Sequence, residues 1–518
     1  MVTKTQVRKD AYFDSVTLMM ASSKMSEVPG VKNAAIMMGT DHNRELMAAA
    51  GLITSETPTF TANDTVLGII ADAEAAAEAA LKALDEYFAK KATVGGGAQK
   101  AKTLDGAKRM LPGLNFVVMS IPGRYAKAEV DKALDMDLHV LLFSDNVTLE
   151  EEIALKEKAV QKGLLMMGPD CGTAIINGTA LGFANVVDRG NIGLVAAAGT
   201  GLQEVTVLID VLGGGVSQAL GTGGRDLKAE VDGRMMSLGL DALEADPATD
   251  VIVIISKPPH PSVMAKISDK VKTFKKPVVA CFLGGDPAVL EGTGAAYAKD
   301  LESAARLAVE LSGVKVSGKE QMSDAELDEI IAAEMARFAP GQTDLRGLYS
   351  GGTLCYESML ALEAAGLPVY SNISMSDEFL LEDVEVSKEN TLLDMGDDYF
   401  TDGLPHPMID PRLRVERIGK EAADKATAVL LLDCVGGYGS HENPAGALDP
   451  AIRAGIKAAA DEGRHLCVIA SVCGTEGDPQ KRSEQEEILR EAGAIVMSSN
   501  AQAARLASRL MHQIAEKN

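Results

Sequence analysis

The sequence predicts an α/β protein with several doubly wound parallel sheets, preceded by a small α+β domain at the N-terminus. Its 518 residues exceed what one hydrophobic core accommodates. From residue 104 onward, apolar strands alternate with helices, and many of these strands end in glycine-rich turns. Near-continuous apolar strands separated by helices indicate parallel sheets covered on both faces, with right-handed crossovers.

The N-terminal domain is predicted to span residues 1–92 and to end in an alanine-rich helix at 73–90. Before that helix, the apolar periodicity predicts a helix from about Tyr12, a strand at 31–39, a helix from Asp41 and a strand at 65–72. The glycines and charges of residues 93–103 are typical of a linker.

Three α/β units are predicted to follow, at residues 104–188, 189–318 and 341–518. The connector between the second and third units contains a polar segment, Ser323 to Phe338, that predicts a helix. The second and third units share a plan of strand, glycine turn and helix.

The charge balance excludes two classes of partner. The chain has 74 acidic and 50 basic residues and a formal charge of -24, which repels nucleic acid and anionic membrane surfaces. No apolar segment is long enough to span a membrane, and the first residues lack the apolar core of a signal peptide. We therefore expect a cytoplasmic protein.

The six cysteines form no C-x-x-C pair and no cluster with histidine at zinc spacing, so we expect neither disulfides nor a bound metal. Four of them lie in or beside apolar segments, as small buried residues do. Cys171 and Cys473 are of more interest because they lie in turns that contain glycine.

Two glycine turns at strand ends are the best-marked candidate sites. Gly199, Thr200 and Gly201 follow one apolar strand and open a helix, and Gly436, Gly437, Tyr438 and Gly439 follow another strand in what we expect to be the same arrangement. Glycine lets backbone N–H groups approach an anion, and the helix dipole favours negative charge there. Any tight strand-to-helix connection also favours glycine, so both interpretations stay open.

Further candidates lie in neighbouring turns at the carboxyl ends of strands, where ligands bind in open α/β sheets. Gly223 and Gly224 precede Arg225, whose guanidinium suits a carboxylate or a phosphate, although a solvated surface arginine fits equally well. Asp170 and Cys171 form another candidate substrate-binding turn. Similar turns occur at 284–286 and 350–353.

Three of the seven histidines, His260, His406 and His441, lie in loops beside proline or glycine. For each of them a turn hydrogen bond is the more common role, and catalysis is the alternative. His441 is the best candidate acid or base, because a helix N-terminus beside it would keep its ring neutral near pH 7.

The order of these motifs resembles succinyl-CoA synthetase and the wider NDP-forming acyl-CoA synthetase superfamily. The segments NFVVMSIPGRYAKAEVDKAL, GLLMMGPDCGT, GNIGLVAAAGTGLQEV and VSQALGTGGRD are similar to the α-subunit, and GLYSGGTLCYE, LLDMGDD, LLLDCVGGYGS and VIASVCGTEGDPQ to the carboxy-terminal domain of the β-subunit. The resemblance implies a CoA-binding-like Rossmann domain at 104–188 and two flavodoxin-like domains at 189–318 and 341–518. It also implies that residues 345–518 pack against 189–318, with Gly199 and Gly437 facing one cleft.

Three features depart from that superfamily. The G-x-T-G-x-x-G loop that holds CoA is absent from the start of the α-like region, and no histidine follows PVVACFLGG, where the family has its phosphorylated histidine. The connector between Val314 and Asp344 is also too short for a nucleotide-binding ATP-grasp domain. This combination resembles the FdrA proteins, which have been linked to oxamate carbamoyltransferase acting with partner subunits in purine and allantoin catabolism.

The resemblance to FdrA proteins implies phosphorolysis of oxalurate to oxamate and carbamoyl phosphate. The two glycine turns would hold phosphate and the developing oxyanion, Arg225 would pair with the substrate carboxylate and His441 would move the proton. We expect anionic substrates, no bound cofactor, weak or absent CoA binding, and partner subunits in an oligomer. Two alternatives stay open: an acyl-CoA synthetase with a separate nucleotide-binding subunit, and a ligand-binding scaffold without activity.

Overall fold

A computed structural model describes the chain except for residues 10, 12, 14, 55–56, 95–100, 102, 317–320, 402–403 and 518. The chain forms two compact units, and the smaller one comprises Met1–Phe116 together with Thr401–Pro405. The larger unit comprises Val117–Phe400 and His406–Asn518. Most of the predicted linker at 93–103 lies outside the described residues.

The small unit contains an antiparallel three-stranded sheet in the order β1-β3-β2, and its helices include α1 and α3, which bury one face of the sheet. Its elements are β1 (Val2–Arg8), α1 (Ser15–Ser26), β2 (Val31–Met38), α2 (Asp41–Ala49), β3 (Thr65–Ala71), α3 (Glu74–Val94) and α4 (Leu104–Met110). The predicted elements of this domain are confirmed. Strand β1 was not predicted, because polar residues interrupt its apolar positions; it pairs with β3 along its whole length.

The larger unit begins with a small sheet of three strands in the order β4-β5-β6. Its elements are β4 (Phe116–Met119), α5 (Gly123–Asp135), β5 (His139–Leu142), α6 (Leu149–Lys162) and β6 (Met166–Met167). A complete capping box at Thr148 and Glu151 starts α6, and Gly163 in the left-handed conformation ends it.

The second sheet has seven strands in the order β13-β12-β11-β9-β10-β7-β8. Its elements are β7 (Thr173–Ile176), β8 (Thr179–Gly182), β9 (Arg189–Ala196), α7 (Gly199–Val211), β10 (Val216–Gly221), α8 (Arg234–Ala245), β11 (Val251–Ser256), α9 (Pro261–Val271), β12 (Val278–Phe282), β13 (Ala296–Tyr297) and α10 (Leu301–Leu311). The hairpin β7–β8 pairs antiparallel with β10, so it extends this sheet although its residues fall in the predicted 104–188 unit.

The third sheet has six parallel strands in the order β15-β16-β14-β17-β18-β19. It is preceded by α11 (Asp324–Met335), which matches the predicted connector helix and starts with a capping box at Ser323 and Glu326. The remaining elements are β14 (Asp344–Tyr349), α12 (Gly352–Ala364), β15 (Tyr370–Ser371), β16 (Thr391–Asp394), α13 (Asp398–Thr401), α14 (Arg412–Ala423), β17 (Thr427–Val435), α15 (Pro444–Asp461), β18 (Cys467–Cys473), α16 (Arg482–Glu491), β19 (Ile495–Met497) and α17 (Asn500–Lys517).

The second and third sheets are joined by four helices, α7 and α10 from the former and α12 and α17 from the latter. The junction includes buried hydrogen bonds from Asn500 to Glu204 and from Ser499 to Glu302. The expected packing of residues 345–518 against 189–318 is thus confirmed. No helix within the described ranges is long and apolar enough to cross a membrane.

A buried lysine fixes the small sheet to the second one. Lys156 and Glu152 on α6 are fully buried, and the Lys156 ammonium lies 2.8 Å from Glu152 and 2.9 Å from Asp226. The same ammonium donates to the carbonyl of Thr222, and Asp226 accepts the backbone N–H of Met236. Removing one member of a buried ion network leaves the others desolvated and unpaired.

We therefore expect Lys156→Met to destabilise the larger unit by roughly 3 kcal/mol, because buried Asp226 loses its counter-charge and buried Glu152 keeps only Arg225 as a cationic partner. Lys158→Met is the matched control on the same helix, since Lys158 is 28 % exposed and pairs with Asp131 and Asp135 at the surface; its loss should cost less than about 1 kcal/mol. Thermal and urea unfolding measure both. Equal losses in the two variants would contradict the prediction.

Candidate functional site

The turn after β9 opens a helix, as its sequence predicts. Helix α7 begins at Gly199, its N-cap residue Ala198 supplies no side-chain cap, and Leu202 donates the first bond, to Ala198. Among the residues that the structure describes, no protein acceptor bonds the N–H groups of Gly199, Thr200 or Gly201. These three donors therefore lack a protein acceptor at the positive end of a 13-residue helix, where Gly199 is exposed and Gly201 is buried.

The start of α12 lies directly against the start of α7. The Thr353 N–H donates to Thr200 Oγ1 at 3.2 Å. A Cβ atom on Gly351 would lie 3.0 Å from Thr200, and one on Gly201 would lie 2.8 Å from Thr353, so both positions require glycine for close approach. The turn at 350–353 was predicted only as one glycine turn among several, and the structure makes it the partner of Thr200.

The Gly436–Gly439 turn differs from the prediction. It does not open a helix, because β17 ends at Val435 and α15 begins only at Pro444, capped by Asn443. The N–H groups of Gly436, Gly437 and Tyr438 donate to Cys473 O, Gln480 Oε1 and Ala184 O, at 2.9, 3.0 and 2.8 Å. In this conformation those donors are used within the protein, so the expected anion cradle at Gly436, Gly437, Tyr438 and Gly439 is not formed by these N–H groups.

The same turn instead docks onto the segment that follows β8. Ala184 and Tyr438 form an isolated bridge, and Asn185 donates to Asp478 at 2.7 Å. Gly437 has a φ of +92°, and a Cβ atom there would lie 2.7 Å from the Ala184 carbonyl oxygen. Glycine is required at this position for packing between the two sheets.

His441 is held by its own turn. Its N–H donates to the Met408 carbonyl, its carbonyl accepts from Gln480, and its Nδ1 accepts the N–H of Asn443 at 3.1 Å. These bonds place the histidine beside Asn443, the N-cap of α15. A role for His441 as acid or base remains a proposal.

Arg225 is also engaged within the protein. Its Nε lies 2.8 Å from the buried Glu152, and its Nη2 donates to the carbonyl of Val147 at 2.8 Å. The turn that carries it packs closely on the turn of Asp170, since a Cβ atom on Gly223 would lie 2.5 Å from the Pro169 carbonyl oxygen. The guanidinium therefore anchors this turn, and Gly224 beside it is exposed.

The two residues of the Asp170 turn have opposite environments. Cys171 is buried, and burial raises the pKa of its thiol to about 12, which makes it a poor nucleophile. Asp170 is exposed, yet the surrounding protein raises its pKa to about 6, and the carboxylates of Asp145 and Asp398 add to the rise.

Asp394 and His406 form a second titratable pair, at the end of β16. Desolvation raises the pKa of Asp394 to about 7, with Asp397 and Asp433 adding to the rise, and it lowers the pKa of His406 to about 4, with Arg414 adding to the fall. The two side chains are close to each other, since Asp394 Oδ1 and His406 Nε2 both lie within 3.2 Å of the Cβ position of Gly396.

This pair borders the start of α12, because Asp394 Oδ2 lies 2.3 Å from the Cβ position of Gly352. Lys257 follows β11, and its ammonium lies 4.5 Å from the ring centre of Tyr356 on α12. It interacts electrostatically with Asp394. Sequence reasoning did not select Asp394 or Lys257, although each follows or ends a buried strand at its carboxyl end, which is the signal that would have found them.

The comparisons with known proteins agree with this architecture. The uncharacterized protein YahF of Escherichia coli (strain K12) is 44% identical over 501 residues, which cover 96% of this chain and 97% of that one. The chain belongs to the YahF family. Residues 348–510 match the family model described as CoA-ligase, and residues 1–104 match the one described as AllF, heavy metal-associated domain.

More distant relatives match in part. The ADP-forming sulfoacetate-CoA ligase subunit SauD of Bilophila wadsworthia is 28% identical over 180 residues, which cover 33% of this chain and 59% of that one. One matching solved structure is the dinucleotide-forming acetyl-coenzyme A synthetase 1 of Ca. Korarchaeum cryptofilum, in complex with phosphate and ADP. It is 15% identical, and the match covers 82% of this chain and 88% of that one, with a TM-score of 0.31. The predicted resemblance to CoA ligases is confirmed, whereas carbamoyl transfer, which none of these three relatives is described as performing, stays a prediction.

The description of the N-terminal family raises the question of a metal site. Heavy-metal ions favour thiolate ligands, and the first cysteine of this chain is Cys171, beyond that domain. Across the described ranges, no three histidine, cysteine or acidic side chains come together as metal ligands. The residues present therefore do not fit a thiophilic ion.

The raised pKa of Asp394 gives a test of the site's electrostatics. Its pKa is higher in the folded than in the unfolded protein, so its contribution to stability is present below pH 4 and is lost as pH rises towards 7. Asp394→Asn removes that loss and keeps the acceptor for the Gly396 N–H. We expect the melting temperature of the variant, relative to wild type, to rise by about 2 °C or more between pH 5 and pH 8.

The control for this prediction is Asp377→Asn, a change at an exposed position before β16. Its melting temperature relative to wild type should not vary with pH. Calorimetry at four or five pH values measures both variants, and a flat difference for Asp394→Asn would show that this carboxyl titrates normally.

Proposed function

We propose that this chain is the CoA-ligase-like subunit of a multisubunit enzyme that makes or consumes an acyl phosphate. The observation that carries the proposal is the meeting of α7 and α12 at Thr200 and Thr353, which leaves the N–H groups of Gly199, Thr200 and Gly201 open to an anion. Such helix starts bind phosphate through backbone donors and the helix dipole. The similarity to ADP-forming ligase subunits supports phosphate as the anion.

The surrounding side chains suit group transfer to phosphate. Lys257 supplies a positive charge beside the start of α12, and Asp394 supplies a carboxyl that exchanges its proton near neutral pH. Preorganised N–H donors stabilise the negative charge that develops on a carbonyl oxygen under attack. No covalent nucleophile from the protein is needed, because phosphate itself attacks the positioned carbonyl carbon.

In the ligase form of the proposal, a separate nucleotide-binding subunit supplies the phosphoryl group. In a second form, the reaction is carbamoyl transfer, in which phosphate cleaves oxalurate to oxamate and carbamoyl phosphate. A specific observation favours this second form: the segment from Leu283 to Ala298, where the CoA ligases have a phosphorylated histidine, contains no histidine. Arg225, His441 and Asp170 remain candidate substrate contacts in either form.

One assay separates these forms, using the chain purified together with its partner subunits. Formation of ADP and a CoA thioester from ATP, CoA and a carboxylic acid supports the ligase. Phosphate-dependent formation of carbamoyl phosphate from oxalurate, coupled to ATP through carbamate kinase and ADP, supports carbamoyl transfer. Phosphate binding without either turnover would support a scaffold and overturn the enzymatic proposal.

CoA binding is a separate test. We propose that the isolated chain binds CoA weakly, because the G-x-T-G-x-x-G loop is absent and the sheet β4-β5-β6 has only three strands among the described residues. Titration calorimetry with CoA measures this directly. A micromolar or tighter dissociation constant would favour the ligase form with CoA held by this chain.

Gly199→Asp tests the phosphate site itself. The position is exposed, and within the described part of the chain a Cβ atom there meets one atom within 4 Å, Thr173 Oγ1 at 3.8 Å, so a side chain fits. A carboxylate at a helix start stabilises the helix. We therefore expect unchanged or slightly higher thermal stability, with phosphate affinity at least about tenfold weaker in calorimetry because like charges repel.

Gly199→Ala and Gly199→Asn are the matched controls, since they add atoms without charge and should bind phosphate within about threefold of wild type. Gly437→Asp is not a suitable variant, because a Cβ atom there meets the Ala184 carbonyl oxygen at 2.7 Å and the change would disturb packing between the sheets. Full phosphate affinity in Gly199→Asp would show that this turn is only a tight connection.

A further inference from the structure

The two helices that meet at the proposed phosphate site, α7 and α12, occupy equivalent positions beside the second and third sheets. Helices α7 and α12 each have 13 residues. Helix α7 follows β9, the first of the parallel strands in the second sheet, and α12 follows β14, the first strand of the third sheet. Each has glycine at its first position, threonine at its second and glutamate at its sixth. The threonines are Thr200 and Thr353, and the glutamates are Glu204 and Glu357.

Each glutamate caps a helix in the domain to which the other glutamate belongs. Glu357 of α12 accepts the N–H of Leu301, the first residue of α10 in the second sheet, at 2.8 Å. Glu204 of α7 accepts the N–H of Asn500, the first residue of α17 in the third sheet, at 3.1 Å. Each carboxyl therefore satisfies an N–H group at the start of a helix from the opposite domain.

Asn500 connects the two caps. Its Nδ2 donates to Glu357 Oε2 at 2.8 Å and to the Leu354 carbonyl at 2.9 Å, while its backbone N–H goes to Glu204. Glu204, Glu357 and Asn500 are all at most 4 % exposed. A buried network of this kind favours this arrangement of its members, because rearrangement would break hydrogen bonds between desolvated groups; Asn500 Oδ1 has no hydrogen-bond partner among the described residues.

The caps lie one helical turn beyond the proposed site. Residues four positions apart lie on the same side of a helix, so Thr200 shares its side with Glu204, and Thr353 shares its side with Glu357. The side of α7 that carries its cap is therefore also the side that accepts the Thr353 N–H.

We propose that Glu204 and Glu357 are positioning residues that hold the first turns of α7 and α12 together across the two domains. This inference rests on the proposed function, since it makes the geometry of the phosphate site depend on both glutamates. Burial raises the pKa of Glu357 to about 8, with Asp300 adding to the rise, and also raises the pKa of Glu204. Glu357 is therefore mainly protonated at neutral pH, and glutamine, which is also neutral, keeps one oxygen to accept the Leu301 N–H.

Hydrogen–deuterium exchange at single-residue resolution tests the proposal without any ligand. In Glu357→Ala, the N–H of Leu301 should exchange about tenfold faster, and in Glu204→Ala the N–H of Asn500 should do so, because each loses its acceptor. In both variants the Thr353 N–H should also exchange faster, since its protection reports the contact with Thr200. Glu357→Gln should restore wild-type protection at Leu301 and Thr353.

The control is Glu363→Ala, an exposed change near the end of α12, which should leave all three N–H groups as in wild type. Uniformly faster exchange across the larger unit in the alanine variants, or unchanged protection at Thr353, would overturn the positioning role. Phosphate titration completes the test: Glu357→Ala should weaken binding several-fold and Glu357→Gln should restore it. If wild type binds no phosphate, the proposed function fails, while the exchange pattern still decides the positioning role.

Discussion

The contact between α7 and α12 is the constraint on which the larger unit depends. Two helices from different sheets meet end to end at Thr200 and Thr353, and glycines at 201 and 351 permit the approach. Helix starts of this kind repel each other electrostatically, since both carry partial positive charge. Buried carboxyl groups oppose that repulsion: Asp433 accepts the N–H groups of Ser350 and Gly351.

Most of the fold could be predicted from the sequence, because it depends on local patterns. Apolar segments such as the one that forms β17 are continuous enough to identify buried parallel strands, and capping residues such as Ser323 fix a helix start. Two features could not be predicted: strand β1, and the pairing of the hairpin β7–β8 with the second sheet. Both depend on pairing with distant strands, which no local pattern encodes.

The candidate site was only partly predictable for a related reason. Glycine after a strand marks a close approach of the backbone, but it does not say what approaches. At Gly201 the neighbour is a second helix, and at Gly437 it is the carbonyl of Ala184, so similar sequences serve different purposes. Asp394 and Lys257 acquire their importance from neighbours far along the chain, such as the start of α12 and Tyr356.

The second and third sheets belong to one polypeptide, joined by the connector that contains α11. A covalent link makes their association intramolecular. An interface between separate subunits would have to offset the full loss of translational freedom, together with the cost of desolvating its buried polar groups. Fusion fixes the stoichiometry at one to one, and it allows this junction to retain polar groups that a freely dissociating pair would tolerate poorly.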